Sequence, residues 1–154
     1  MTPTIRFVWL PDADSELPLP AYETDGAAGA DLRANFSETE RSGVKLKPLE
    51  RRLIPTGMAL EIPHGFEMQI RPRSGLALKQ GLTLVNTPGT IDSDYRGPLG
   101  VILINLGSEV AHIAHGDRIA QAVVAPVVQA KYQQVEALSE TDRGEGGFGS
   151  TGRG

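Results

Sequence analysis

Glycine and proline interrupt this chain every few residues, and this feature restricts its fold more than any other. The sequence holds 18 glycines and 11 prolines among 154 residues, which is too many for a helical bundle. Between these breaks lie short runs of the length and alternation that half-buried strands have. Strands and turns recur about every 8–12 residues, which predicts an all-β sandwich or barrel.

Individual strands are predicted from the apolar pattern. In residues 66–71, Phe66, Met68 and Ile70 alternate with polar side chains, as in a half-buried strand. Residues 99–106 are almost continuously apolar, so that strand is expected to be buried on both faces. The predicted strands cover residues 4–9, 44–46, 52–54, 58–62, 66–71, 99–106, 119–124 and 130–135.

The length suits a single domain, but the composition changes at Ser139. From there the chain is rich in glycine and holds almost no apolar side chain except Phe148. Such a segment cannot bury enough surface to order itself. We therefore predict a β core at residues 1–138 and a flexible, glycine-rich C-terminal arm at residues 139–154.

Charge and composition exclude several functions. A formal net charge of −4 disfavours binding to nucleic acid over a broad surface, which needs clustered excess Lys and Arg. The net charge does not exclude binding of a small anionic ligand in one basic pocket. The absence of cysteine excludes disulfides and thiolate metal sites. We find no signal-like N-terminus and no membrane-length apolar run, so the protein is expected to be cytoplasmic, without a membrane partner.

The segment RPRSGLALK, residues 71–79, combines two arginines with a predicted helix at residues 74–80. Ser74 is expected to be its N-cap and Gly81 the glycine that ends it. Arg73, the Ser74 hydroxyl and the uncluttered backbone at Gly75 are suited to phosphate. A capped helix with surface arginines explains the same residues equally well.

Two other segments carry polar residues between apolar ones. In GDRIAQ, residues 116–121, Gln121 offers an amide donor, although an ordinary turn leading into a strand has the same pattern. In AGADLRA, residues 28–34, Asp31 could hold a metal-bound water or bond to neighbouring backbone. Neither segment identifies a site by itself.

The last two segments are more distinctive. GTIDSDYRG, residues 89–97, places Asp92 directly after an apolar residue in a hairpin-like run, so this acid is either a turn former or a base. RGEGGFGSTG, residues 143–152, resembles a glycine loop that wraps phosphate, with Phe148 able to stack on a flat ring. The alternative for the latter is a flexible tail.

In this order and spacing, AGADLRA, RPRSGLALK, NTPGTIDSDYRG, GDRIAQ and RGEGGFGSTG resemble the five motifs of the trimeric deoxyuridine triphosphatases (dUTPases). The resemblance implies a jelly-roll-like β-clip fold with one short helix, assembled as a homotrimer. It implies Mg²⁺-dependent hydrolysis of dUTP to dUMP and pyrophosphate, which keeps uracil out of DNA and supplies dUMP for thymidylate synthesis. The arm of one subunit would close over an active site formed by its neighbours.

The resemblance also assigns roles to residues. Asp92 matches the general base that activates water for attack on the α-phosphorus, and Asp94 matches no such role. Tyr95 matches the residue beneath the deoxyribose, which excludes a 2′-hydroxyl. The residues implied to read uracil are Asn86, Gly89, Thr90 and Ile91.

The remaining roles concern the phosphates and the metal. Arg73, Ser74, Gly75 and Gln121 would hold the phosphates. Arg143, Gly149, Ser150 and Thr151 would bind the γ-phosphate side of the substrate when the arm closes, with Phe148 stacked on the base. Asp31 would contact Mg²⁺ through water, the ion being held mainly by substrate phosphates.

Two alternatives remain. A dCTP deaminase shares this fold family, but it needs a catalytic glutamate where this hairpin has aspartates. A nucleotide-binding protein without catalysis is the other, and the presence of Asp92 argues against it. Ammonia release, pyrophosphate release or binding without turnover distinguishes the three.

Overall fold

The computed structural model describes residues 2–147, and over that range the protein is built almost entirely from β-strands. The strands are β1 Arg6–Trp9, β2 Ala30–Arg33, β3 Val44–Leu46, β4 Arg51–Glu61, β5 Phe66–Arg71, β6 Leu82–Leu84, β7 Gly89–Ile91, β8 Pro98–Asn105, β9 Ala111–Ile113 and β10 Arg118–Pro126. One α-helix, α1 at Ser74–Gln80, and one 3₁₀ turn, Glu38–Glu40, complete the elements of the described range. The predicted all-β fold with one short helix is confirmed.

The strands form two four-stranded sheets and a two-stranded pair. Their orders are β1-β4-β8-β6, β2-β10-β5-β7 and β3-β9, with antiparallel pairing throughout. Side chains from all three enclose one apolar core, in which Leu32, Leu46 and Leu103 are almost fully buried. The second sheet positions the candidate site, because its edge strands carry two of the segments singled out above.

Strand β4 corrects the prediction of two separate strands at residues 52–54 and 58–62. The chain runs through Pro55 and Gly57 as one strand of 11 residues. Its register against β8 shifts between Pro55 and Ala59, which marks an irregularity such as a β-bulge. Gly57 has φ +73°, a conformation that glycine adopts without strain. Proline and glycine therefore bend this strand rather than end it.

Strand β8 differs from its prediction in burial. From Leu99 onward its side chains alternate between buried and half-buried, with Leu99, Val101 and Leu103 facing the core. We expected burial on both faces because nearly every residue is apolar. The half-buried positions belong to the outer face of the sheet, which the rest of this single chain only partly covers.

The predicted strand at residues 130–135 is wrong. After β10 ends at Pro126, the chain to residue 138 has no regular secondary structure and lies exposed. Val128 is 93% exposed and Tyr132 fully so. The apolar residues that suggested a strand have no partner strand in the described part of this chain.

Helix α1 has the predicted bounds, but Ser74 is its first helical residue and not its cap. The N-cap is Arg73, in extended conformation, and no side chain caps the helix. Gly81 ends the helix as predicted, with φ +68° and its N–H donated to the carbonyl oxygen of Ala77. Strands β2, β6, β7 and β9, of three or four residues each, were not predicted.

Candidate active site

Three of the predicted segments meet at one end of the second sheet. Asp31 on β2 lies opposite Gln121 on β10, and Gln121 lies opposite Arg71 at the end of β5. The chain then turns through Pro72 so that Arg73 faces the same place. Antiparallel pairing thus brings AGADLRA, GDRIAQ and RPRSGLALK into one polar cluster.

The centre of this cluster is the carboxylate of Asp31, a side chain that is only 5% exposed. Its Oδ1 forms an ion pair with Nε of Arg73 at 3.2 Å and accepts a hydrogen bond from Nε2 of Gln121 at 3.3 Å. Its Oδ2 accepts from Nη1 of Arg118 at 3.1 Å. Two guanidinium groups compensate the buried negative charge, as burial requires.

The phosphate-binding candidates beside the cluster are accessible. Ser74 and Gly75 are exposed, and a Cβ added to Gly75 would meet no atom within 4 Å. Arg73 keeps 26% of its side chain exposed. These residues border open space, as contact with a ligand requires.

Asp92 and Tyr95 lie in the loop that follows β7. Asp92 is exposed, and its carbonyl oxygen accepts from the N–H of Tyr95 at 3.2 Å. The Tyr95 ring is 45% exposed. Thr90 and Asn86 are exposed too, whereas Ile91 is half-buried. Gly89 is buried, and a Cβ added there would lie 3.0 Å from Nδ2 of Asn86.

Within one chain, the structure does not bring Asp92 to the Asp31 cluster. Ile91 pairs with Met68, whereas the cluster begins at Arg71, three residues along β5. Three residues of strand span roughly 10 Å, and Asp92 continues away from Ile91. The hairpin on β7 and the cluster at β2 also occupy opposite edges of the sheet. A single chain therefore carries the two halves of the predicted site far apart.

The C-terminal candidates are only partly described. Arg143 is exposed, and its Nε donates to the carbonyl oxygen of Gly146 at 2.7 Å. Phe148, Gly149, Ser150 and Thr151 lie outside the described residues.

Comparison with known proteins identifies the family. The dUTPase family model matches residues 15–152. This chain belongs to the dUTPase family. It is similar to the deoxyuridine 5'-triphosphate nucleotidohydrolase of Dinoroseobacter shibae, at 66% identity over 100% of this chain and 98% of that protein. It is 56% identical to the protein of the same name from Desulfotalea psychrophila, over 99% of each chain.

Among solved structures, the dUTPase of Staphylococcus bacteriophage 80alpha with dUpNHpp has a TM-score of 0.83 at 28% identity. The match covers 97% of this chain and 99% of that one. The family identified from the five segments is thereby confirmed, together with the enzyme class, dUTP diphosphatase, that goes with it.

Magnesium, which the family resemblance implies, can be tested against the residues of this dUTPase. Residues 2–147 contain no group of three or more His, Asp or Glu side chains placed to hold a metal. Asp31 already accepts hydrogen bonds from Gln121 and Arg118 and forms an ion pair with Arg73, which engages most of the roughly four acceptor positions on a carboxylate. The residues fit an ion that keeps its water and takes its direct ligands from phosphate, and they do not fit a metal held by protein side chains.

Sequence reasoning missed the role of Arg118, for a structural reason. In a regular strand, residues 118 and 121 point to opposite faces. The pairing of β10 with β2 shifts register between Arg118 and Ala120, and this irregularity lets Arg118 and Gln121 both reach Asp31. The residues of GDRIAQ do not indicate this register shift.

Two further residues, which were not predicted from the sequence, contact residues of the site. Glu23 pairs with Arg118, with 3.1 Å between Oε1 and Nη1. Gly97 lies against the Tyr95 ring. No sequence pattern indicates a role for Glu23. Gly97, by contrast, is the last residue of the segment GTIDSDYRG, and that position is a sequence signal that could have identified it.

Proposed function

We propose that this chain hydrolyses dUTP to dUMP and pyrophosphate with Mg²⁺, using the residues assigned above. The observation that carries the proposal is the convergence of Asp31, Arg73 and Gln121, from three separate segments, beside the exposed Ser74 in a member of the dUTPase family. The structural relative from phage 80alpha was solved with dUpNHpp, a dUTP analogue. That supports the same class of ligand here.

In the proposed reaction Asp92 is the general base. Its carboxylate takes a proton from a water molecule, whose oxygen forms the new bond to the α-phosphorus. The bond between the α-phosphorus and the oxygen that bridges it to the β-phosphorus breaks, and that oxygen leaves as part of pyrophosphate. The exposure of Asp92 supports this role, because the carboxylate must reach water and substrate at hydrogen-bond distance.

Arg73, Ser74 and Gln121 bind the phosphates in this proposal. An arginine offers paired donors to phosphate oxygens, and the geometry leaves part of Arg73 accessible. Donors oriented before the reaction stabilise the charge that develops in the transition state. Bound Mg²⁺ would add charge neutralisation on the phosphates; its expected contact with Asp31 through water stays a prediction.

Selection of deoxyuridine is assigned to the loop around β7. Tyr95 would press against C2′ of the sugar, and Asn86 with the backbone of Gly89, Thr90 and Ile91 would read the uracil edge. A site built to hydrogen-bond one base edge rejects others strongly, because its own polar groups would be left unpaired.

The proposed assembly is a homotrimer with shared active sites. The separation of Asp92 from the Asp31 cluster supports it, because a pocket that uses both needs a second copy. The exposed apolar residues after β10, among them Val128 and Leu138, also call for a covering partner. The arm, which in this proposal begins at residue 139, would close over a neighbouring subunit with Arg143, Phe148, Gly149, Ser150 and Thr151.

In the cell, this activity would keep uracil out of DNA and supply dUMP for thymidylate synthesis, in the cytoplasm. No helix among the described residues is long and apolar enough to cross a membrane.

A panel of nucleoside triphosphates with Mg²⁺, scored for pyrophosphate, tests the proposal. We expect release from dUTP and much less from UTP, dCTP and dTTP. Ammonia from dCTP would point to deamination instead, and binding of dUTP without product would point to a protein that only binds nucleotide.

A further inference from the structure

We propose that Asp31 is a positioning residue, which holds Arg73 and Gln121 in their phosphate-binding orientation, and that Glu23 supports it through Arg118. The inference rests on the proposed function, because Arg73 and Gln121 are taken there to bind the triphosphate. It gives Asp31 a role that does not depend on metal.

The orientation of Arg73 is set from two sides. Its Nε lies 3.2 Å from Oδ1 of Asp31 in an ion pair, and its Nη1 donates to the carbonyl oxygen of Arg118 at 3.3 Å. A guanidinium is planar, so two fixed nitrogens fix the whole group. Among the hydrogen bonds of residues 2–147, Nη2 of Arg73 makes none, which leaves that edge for a phosphate oxygen.

Gln121 is oriented by the same carboxylate. Its Nε2 donates to Oδ1 of Asp31 at 3.3 Å, so one oxygen contacts both phosphate-binding candidates, Gln121 by a hydrogen bond and Arg73 by an ion pair. The Gln121 side chain has little room to move on the side of Gly29, since a Cβ on Gly29 would come 3.1 Å from Cβ of Gln121. Because Asp31 is 5% exposed and sits on β2, the anchor is rigid.

The second oxygen of Asp31 is held by Arg118, and Arg118 is held by Glu23. A single nitrogen, Nη1 of Arg118, lies 3.1 Å from Oδ2 of Asp31 and 3.1 Å from Oε1 of Glu23. The backbone reinforces this arrangement, because the N–H of Asp31 donates to the carbonyl oxygen of Ala21, two residues before Glu23, at 3.0 Å. Glu23 is 61% exposed, so its contribution is expected to be small but measurable.

The test measures binding of dUpNHpp to the full-length protein by calorimetry, once with EDTA and once with Mg²⁺. Hydrolysis of dUTP by the unaltered protein is measured first and decides the proposed function separately. For Asp31→Asn we expect the affinity to fall about tenfold or more in EDTA and by a similar factor with Mg²⁺.

The direction in which Asp31→Asn changes the affinity for dUpNHpp distinguishes the roles of Asp31. If Asp31 only anchors metal, Asp31→Asn leaves binding in EDTA unchanged and raises the Mg²⁺ requirement. If Asp31 only adds negative charge, the substitution strengthens binding of an anion. Either result overturns the inference.

Glu23→Gln extends the test to a surface position where folding is not at risk. Its matched control is Asp25→Asn, which removes one charge from the same exposed segment, where Asp25 has no hydrogen bond or ion pair with any described residue. We expect Glu23→Gln to weaken binding of dUpNHpp in EDTA about two- to fivefold and Asp25→Asn to leave it unchanged. Equal effects of the two substitutions, or no effect of either, would contradict the support assigned to Glu23. If Asp31→Asn does not fold, this comparison decides the inference alone.

Discussion

Gly97 lies directly against the ring of Tyr95: a Cβ atom on Gly97 would come 2.6 Å from Cζ of the phenol. The Tyr95 hydroxyl donates to the carbonyl oxygen of Pro98 at 3.1 Å. The ring is therefore held between a hydrogen bond and the bare backbone of a glycine. Any side chain at position 97 must turn the ring or shift the loop.

Gly97→Ala is expected to weaken the discrimination between dUTP and UTP, because Tyr95 is the residue proposed to exclude a 2′-hydroxyl. We expect kcat/KM for UTP relative to dUTP to rise about tenfold or more, measured by pyrophosphate release. Gly26→Ala is the control, since a Cβ at Gly26 meets no atom within 4 Å. Unchanged selectivity in a folded Gly97→Ala protein would remove Tyr95 from this role.

Asp92→Asn should abolish most turnover while dUTP still binds, because the amide cannot accept the proton from water. The expected loss in kcat is at least about 10²-fold, the usual contribution of a general base. Asp94→Asn is the matched control two residues away, also exposed, and should retain activity. Equal losses in the two variants would contradict the assignment.

Deletion of residues 143–154 should leave a folded trimer with very low activity. The reason is that the last described strand ends at Pro126, so the deletion removes no part of the described sheets. Light scattering checks the assembly and pyrophosphate release checks the activity. An active truncated protein would show that the arm is not needed to complete the site.

Asp14 is expected to make stability depend on acid pH. The N–H of Glu16 and the ring of His115, whose Nε2 lies 3.1 Å from Oδ2, hold the pKa of Asp14 below its ordinary value of 3.8. A lowered pKa in the folded state means that the stabilisation is complete above about pH 4 and disappears as pH falls through the folded value.

Asp14→Asn removes this dependence. The difference in the free energy of unfolding between the unaltered protein and the variant, from urea denaturation, should be constant at neutral pH and shrink below the ordinary value of 3.8. Asp12→Asn, an exposed neighbour, should show no such change. A difference that grows toward low pH would contradict the assignment.

Local features of the sequence were predicted well, and contacts between distant residues were not. The bounds of α1 and β3 follow from their own residues, and Gly81 has the positive φ expected of a helix end. By contrast, residues 130–135 contain apolar residues suited to a strand but form none, because a strand exists only where another strand pairs with it. The run through Pro55 shows the converse, since pairing with β8 sustains a strand across a proline.

The sequence by itself determined the family and the types of group available for chemistry, because five short segments in one order are a local property of the chain. The tertiary structure decided what those groups contact. Asp31 and Arg118 are 87 residues apart, and they meet only because β2 and β10 pair with a shifted register. Strand register depends on how the whole core packs, which no short segment encodes.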